Sequence, residues 1–223
     1  MDPARRREIA RQVLEGYVNG PAAATEATVR ALAKVKDAQG AVLVEGISDQ
    51  IALETLAARR GRNLVEERVV VLPIGGASAI TRYLTQLGPS GAGLRLAGLC
   101  DLGEEPIFRR GLSRARAGSP ETRADMEGLG FYVCVEDLED ELLRASGSTS
   151  VEAIFSSQGD LGSFRSLQRQ PEWRGRRIDD QMRRFLGSGA SRKLRYARLL
   201  VESLDLDHMP RPLDAVLAAV AQT

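Results

Sequence analysis

Glu45 and Asp49 stand four residues apart in the stretch AVLVEGISDQIAL, where a short run of Ala, Val and Leu gives way to acid and glycine. The apolar run has the length and branching of a buried strand. A carboxylate at the end of such a strand is costly unless a cation meets it. The pattern recurs twice. Residues 94–100 (LRLAGLC) lead into Asp101, with Glu104 and Glu105 close behind, and residues 131–135 (FYVCV) lead into Glu136, Asp137 and Glu139. Oxygen ligands at this density suit hard cations such as Mg²⁺ or Mn²⁺, whereas zinc favours His or Cys. The single histidine, His208, lies far along the chain. Plainer readings exist for some of these acids: Asp49 complements a helix dipole, and residues 136–141 make an acidic helix start. Glu45 and Asp101 are harder to explain as structure alone, because glycine after the first strand lets the backbone turn toward a ligand.

Strands must carry these acids to one rim if they are to act together. Residues 41–44 read as a first strand, with Ser48 as N-cap of a helix reaching about Arg60. Residues 68–72 (RVVVL) read as a second strand, followed by Pro73-Ile74-Gly75-Gly76 and a helix over about 77–87. Residues 94–100 are a third strand and 131–135 a fourth, the latter followed by a helix over about 138–145. Strands alternating with helices predict an α/β fold with a mainly parallel sheet, whose carboxyl ends gather ligands. Before this core, residues 3–17 and 22–37 have helical spacing, separated by the Asn19-Gly20-Pro21 break. Beyond about residue 150, segments 151–158, 176–186, 191–204 and 212–221 read as helices, with Gly187-Ser188-Gly189 as a breaker. The expected layout is a helical arm over 1–37, an α/β core over 38–146 and a helical region over 147–223.

With 43% hydrophobic and 27% charged residues in 223, the chain has the balance of a soluble protein with a real core. No apolar stretch approaches the roughly 18 residues of a membrane span, and MDPARRREIARQ lacks the apolar block of a signal peptide. The expectation is a cytoplasmic protein, without membrane association, in which Cys100 and Cys134 are buried thiols. Charge is uneven: residues 101–152 hold 12 Asp and Glu against 6 Arg, and residues 160–200 hold 11 Arg and Lys against 4 acids. An acidic zone followed by a basic one fits a metal site beside a phosphate-binding surface, or simply solvated helix faces. Arginine outnumbers lysine 28 to 3, which singles out Lys193 in its GSGASRK setting. The glycine-rich segment 88–93 is not followed by Gly-Lys-Ser/Thr and is no P-loop. Gly75-Gly76 suits either a phosphate cradle or a tight turn, and Asp205-Leu206-Asp207 suits capping. No Ser or Cys has an evident histidine base.

VEGISDQIAL, with Glu at a strand end and an acid four residues on, resembles the first motif of the TOPRIM domain. That fold is shared by topoisomerases, bacterial primases and OLD-family nucleases. LRLAGLCD follows at the spacing of the second motif. VVVLPIGGASAI between them, DLEDEL after the fourth strand and the late GSGASRK loop resemble the OLD-type branch, in the standalone form described as TOPRIM nucleotidyl transferase/hydrolase, over about residues 40–205. The resemblance implies a Rossmann-like TOPRIM core and divalent-metal-dependent phosphodiester chemistry on nucleic acid, foremost DNA endonuclease or nickase activity by a two-metal mechanism using Mg²⁺ or Mn²⁺. It implies that Glu45 is a metal ligand and general base or acid, and that Asp49 serves the second metal. It makes Asp101 the first aspartate of a D-x-D motif, has Glu139 or else Asp137 complete the second site, and aims Lys193 at the scissile phosphate. Arg183, Arg184, Arg192 and Arg195 are expected to position the nucleic-acid backbone. Glycine departs from the pattern in Asp101-Leu102-Gly103, where a second aspartate belongs, and Glu104 or Glu105 is the candidate substitute. That departure keeps open a second reading: a catalytically weakened module that binds nucleic acid or a separate ATPase partner. DNA is expected ahead of RNA, although ribonuclease or nucleotidyl-transfer activity would use the same residues. A homodimer is expected only by analogy with OLD-type relatives.

Overall fold

The computed structural model describes residues 2–18 and 20–221. Asp2 accepts the Arg5 N–H and caps α1 (Pro3–Val13), which is followed by α2 (Ala23–Val35). Asn19, the first residue of the expected break, lies outside the described residues. The core begins with β1 (Gly40–Val44) and α3 (Ile47–Arg59), then β2 (Val69–Pro73), a 3-10 turn at Ala77–Ala79 and α4 (Ile80–Leu87). After β3 (Arg95–Cys100) come a 3-10 turn at Leu102–Glu104, α5 (Glu105–Arg114) and α6 (Arg123–Gly128), then β4 (Phe131–Val133) and α7 (Leu138–Ser146). The chain finishes with α8 (Ser148–Ser157), α9 (Leu161–Gln168), α10 (Ile178–Leu186), α11 (Ala190–Ser203) and α12 (Arg211–Ala219).

The strands among the described residues form a four-stranded, wholly parallel sheet in the order β2-β1-β3-β4. Alternation along each strand sorts its side chains onto two faces. Val42, Val44, Val69, Val71, Ala97 and Leu99 pack on one face with α3, α7, α11 and α12. Ala41, Leu43, Val70, Leu72, Cys100 and Phe131 pack on the other with α4 and α5. Both faces are covered, which is why these strands read as continuous apolar runs. β1 sends its connection toward β2 through α3, whereas β3 sends its own toward β4 through α5 and α6. The sheet therefore switches direction between β1 and β3, where ligands bind in folds of this kind.

β4 is shorter than the expected strand over 131–135. Cys134 N–H still reaches Cys100 O at 2.9 Å, but Val135 N–H is captured by the Glu141 carboxylate at 2.7 Å, ending the ladder. Hydrophobic patterning gave no assignment for α5, α6 or α9, short helices whose partners are supplied by the folded core. Within β3 a close approach requires glycine: a Cβ on Gly98 would lie 2.6 Å from the Phe131 ring. Beneath α11, Phe155 meets Phe164, Phe185 and Tyr196 edge-on at centroid distances of 5.1, 5.0 and 5.1 Å. This fully buried aromatic cluster anchors the helix that carries Lys193. Truncating such a ring to Ala costs about 3–5 kcal/mol.

Candidate functional site

Val44 of β1 lies level with Leu99 of β3, so Glu45 and Asp101 leave neighbouring strands within one residue of each other. Asp49 joins them because α3 starts earlier than its sequence suggests. Gly46, in an extended conformation, is its N-cap, and Asp49 Oδ2 accepts the Gly46 N–H at 2.9 Å. Ser48 is therefore not the cap; it lies buried inside the first turn. The Gly75 and Gly76 N–H groups both donate to Glu45 O at 3.2 Å. That pair is a turn that fixes the backbone of Glu45, and its positive φ values of 75° and 111° require glycine.

The carboxylates feel one another. Burial raises the pKa of Glu45, and Asp49 and Glu104 raise it further. Burial likewise raises Asp49, against the opposing Gly46 N–H and Lys193. Asp101 is pushed up to about 7 by burial, then by Asp49, Asp137 and Glu45. Glu139, 7% exposed, is pushed up to about 6, again mainly by burial. Lys193 provides the counter-charge, its Nζ 3.3 Å from Glu139 Oε2. Burial works against its own charge, but Glu139, Asp49 and Asp101 outweigh that and hold its pKa above the usual lysine value.

This donor set fits a hard divalent cation. It consists of oxygen ligands only, its members repel one another when ionised, and Glu139 Oε1 is buried without a hydrogen-bond partner. Among the described residues no three acids, histidines or cysteines are already gathered into a cage, so the carboxylates must draw together to share an ion.

Neighbouring side chains separate the candidates. Asp137 has both oxygens engaged, Oδ1 with Asp140 N–H at 2.8 Å and Oδ2 with Arg183 at 2.6 Å. It is a helix cap and ion-pair partner in this arrangement, whereas Glu139 pairs through Oε2 with Lys193 and leaves Oε1 without a hydrogen-bond partner. Glu105 is tied to Arg123 at 2.8 Å, whereas Glu104 is close enough to Glu45 for its charge to raise that group's pKa. The expected arginine surface is corrected in part. Arg195 is 6% exposed and donates to buried Asp160, so it cannot meet a nucleic-acid backbone. Arg192 lies over the Phe185 ring at 4.1 Å and donates to Phe185 O and to Ser188, and Arg183 is spent on Asp137. Arg184 is exposed. Arginine-rich composition cannot distinguish these roles; burial does. Asp205 caps its own turn, accepting the Asp207 N–H at 3.0 Å. Beside Lys193 and Glu139 lies a cavity that also includes Trp173, the chain's single tryptophan. The sequence signal for that residue is one aromatic set among Arg169, Arg174, Arg176 and Arg177.

No helix among the described residues is long and apolar enough to cross a membrane. Residues 38–102 match the family model described as Overcoming lysogenization defect protein-like, TOPRIM domain. No curated protein sequence matches the chain. Among solved structures, the chain is similar to the C-terminal region of the OLD protein of Xanthomonas campestris pv. campestris, with a TM-score of 0.67 and 22% identity over 84% of this chain and 94% of that one. It is also similar to the C-terminal region of the Burkholderia pseudomallei OLD protein, with a TM-score of 0.59 and 20% identity over 82% of this chain and 96% of that one. At these identities the structural likeness speaks for the fold, and the matched motif segment spans the Glu45, Asp49 and Asp101 positions. Residues 38–102, Glu45, Asp49 and Asp101 among them, are similar to the OLD-like TOPRIM domain, and the chain shares the fold of the OLD C-terminal regions.

Proposed function

We propose that this chain is a divalent-metal-dependent nuclease that cuts or nicks DNA. The observation that supports the reading is that Glu45 and Asp101 leave the adjacent ends of β1 and β3, electrostatically coupled to Asp49, with Lys193 paired to Glu139 beside them. Glu45, Asp49, Asp101 and Glu139, with Glu104 assisting, would hold Mg²⁺ or Mn²⁺. Such an ion supplies Lewis-acid stabilisation of charge developing on a phosphodiester. Lys193 adds a fixed positive charge for the same phosphate, and the raised pKa of Glu45 suits it to accept a proton from an attacking water. Arg184 contacts the strand's phosphates, a sequence-independent interaction that weakens with salt. Supercoiled plasmid incubated with Mn²⁺ tests the reading. Glu45→Gln and Asp101→Asn should each slow nicking by roughly 10²–10³-fold, and mutants that cut as fast as the wild type would refute the assignment.

A second reading, a weakened module that binds nucleic acid or a separate ATPase partner, is favoured by Gly103 in the D-x-D position and by the absence of a ready-made cage among the described residues. Calorimetric titration discriminates. Nucleic-acid binding that persists while Mn²⁺ fails to bind at millimolar concentration selects the module.

A further inference from the structure

Lys193, Glu139 and Trp173 line one cavity of about 530 Å³, together with exposed Arg176 and Arg184. The tryptophan is held by its backbone. Its N–H donates to Gln170 O at 3.0 Å, and its carbonyl accepts from Gln181 Nε2 at 2.8 Å. Gln181 is itself buried and accepts from Gln168 Nε2 at 2.7 Å. These bonds fix the segment between α9 and α10 and leave the half-buried indole to line the cavity.

The four cations of this wall outnumber its three acids. Asp137 pairs with Arg183 and Glu139 with Lys193, Asp180 sits in the first turn of α10, where the helix dipole favours it, and Arg176 and Arg184 stay exposed. An aromatic surface between guanidinium groups and a phosphate-directed lysine is the arrangement that binds an unpaired nucleotide: the base stacks and the backbone meets cations. A duplex keeps its bases stacked on one another and offers the indole no free face. The volume falls within the ~300–1,000 Å³ of pockets that take a small organic group.

We propose that this cavity is a base-stacking subsite in which Trp173 receives one unpaired nucleobase next to the phosphate at Lys193, with Arg184 and Arg176 on the flanking phosphates. The inference deepens the nuclease reading and rests on it: the substrate class is single-stranded or locally opened DNA.

The single tryptophan makes the test direct. The full chain carrying Glu45→Gln, in chelator to prevent cutting, is titrated with a short oligothymidylate and with an abasic strand of equal length and charge. Tryptophan emission and the anisotropy of a dye on the strand are both recorded. The thymidylate should quench the emission and the abasic strand should not, and the abasic strand should bind roughly 5- to 150-fold more weakly. Trp173→Ala should bring thymidylate affinity down to the abasic level without changing abasic affinity, and Trp173→Phe should restore most of it. Equal binding of both strands with unchanged emission overturns the subsite while leaving phosphate binding, and hence the nuclease reading, standing. Failure of both strands to bind overturns the two together.

Discussion

Two of the places where this molecule buries acid treat it in opposite ways. Beneath α11, Asp160 is 2% exposed, and Arg195 and the Tyr196 hydroxyl both donate to it. There the charge has a dedicated cation and a hydroxyl, set beside the Phe155 cluster. At the carboxyl rim, Glu45, Asp49, Asp101 and Glu139 lie within electrostatic reach of one another, and a single ammonium, Lys193, serves them all. Charge burial in the first place is compensated and structural. In the second it is left open to a further cation, and pKa values perturbed that way mark functional sites. Lys193 and Arg195 lie two residues apart on α11, so the compensated pair holds the helix that serves the uncompensated one.

The comparison breaks first at Asp160. Asp160→Ala strands the buried Arg195 charge and should cost about 3–5 kcal/mol in urea denaturation. Asp160→Asn, which keeps an acceptor for Tyr196, should cost less; equal and small losses would put the two sites on the same footing. Next is pH. Asp101 at about 7 and Glu139 at about 6 stand above their ordinary values, so between about pH 4 and 7 the folded chain binds more protons than the unfolded one. Stability in chelator must then fall as pH rises through that window and level off above it. Saturating Mn²⁺, which requires the ionised carboxylates, should reverse the trend, as thermal melts at stepped pH would show. Smaller still, Glu45→Gln or Asp101→Asn should raise Tm in chelator by about 2–4 °C, the size of a ~1 kcal/mol gain in a chain of this length. The same variants should lose the stabilisation that Mn²⁺ gives the wild type. A drop in Tm instead would mean that these carboxylates are paired more fully than the geometry indicates. The mildest change is Gly103→Asp. A Cβ there meets nothing within 4 Å, so the substitution restores the D-x-D spacing without a clash. It should tighten Mn²⁺ binding by roughly threefold, measurable by calorimetry.

Much of the core was legible because the sheet is buried on both faces. Continuous apolar runs exposed β1, β2 and β3 to within a residue or so, and the acid that ended each of β1 and β3 marked the ligand rim. Ser48 misled because a good cap residue stood two positions too late, after Gly46 and Asp49 together had done the capping. α9 escaped because eight residues with Phe164 and Leu167 as their only buried apolar anchors carry too little periodicity to read alone.

What the sequence by itself determined is local and chemical: apolar strands of fixed length, a carboxylate where each of two must turn, one lysine among arginines, and glycine in place of a second aspartate. Only the tertiary structure decided which charges are free to act. Arg192 and Arg195 read alike with Arg184 along the chain, yet one stacks on Phe185, one is sealed against Asp160 and one reaches solvent. It also placed Trp173 beside Lys193. The physical reason is that a charge takes its meaning from its partners and its solvent exposure, and both are set by residues distant in sequence that folding brings together.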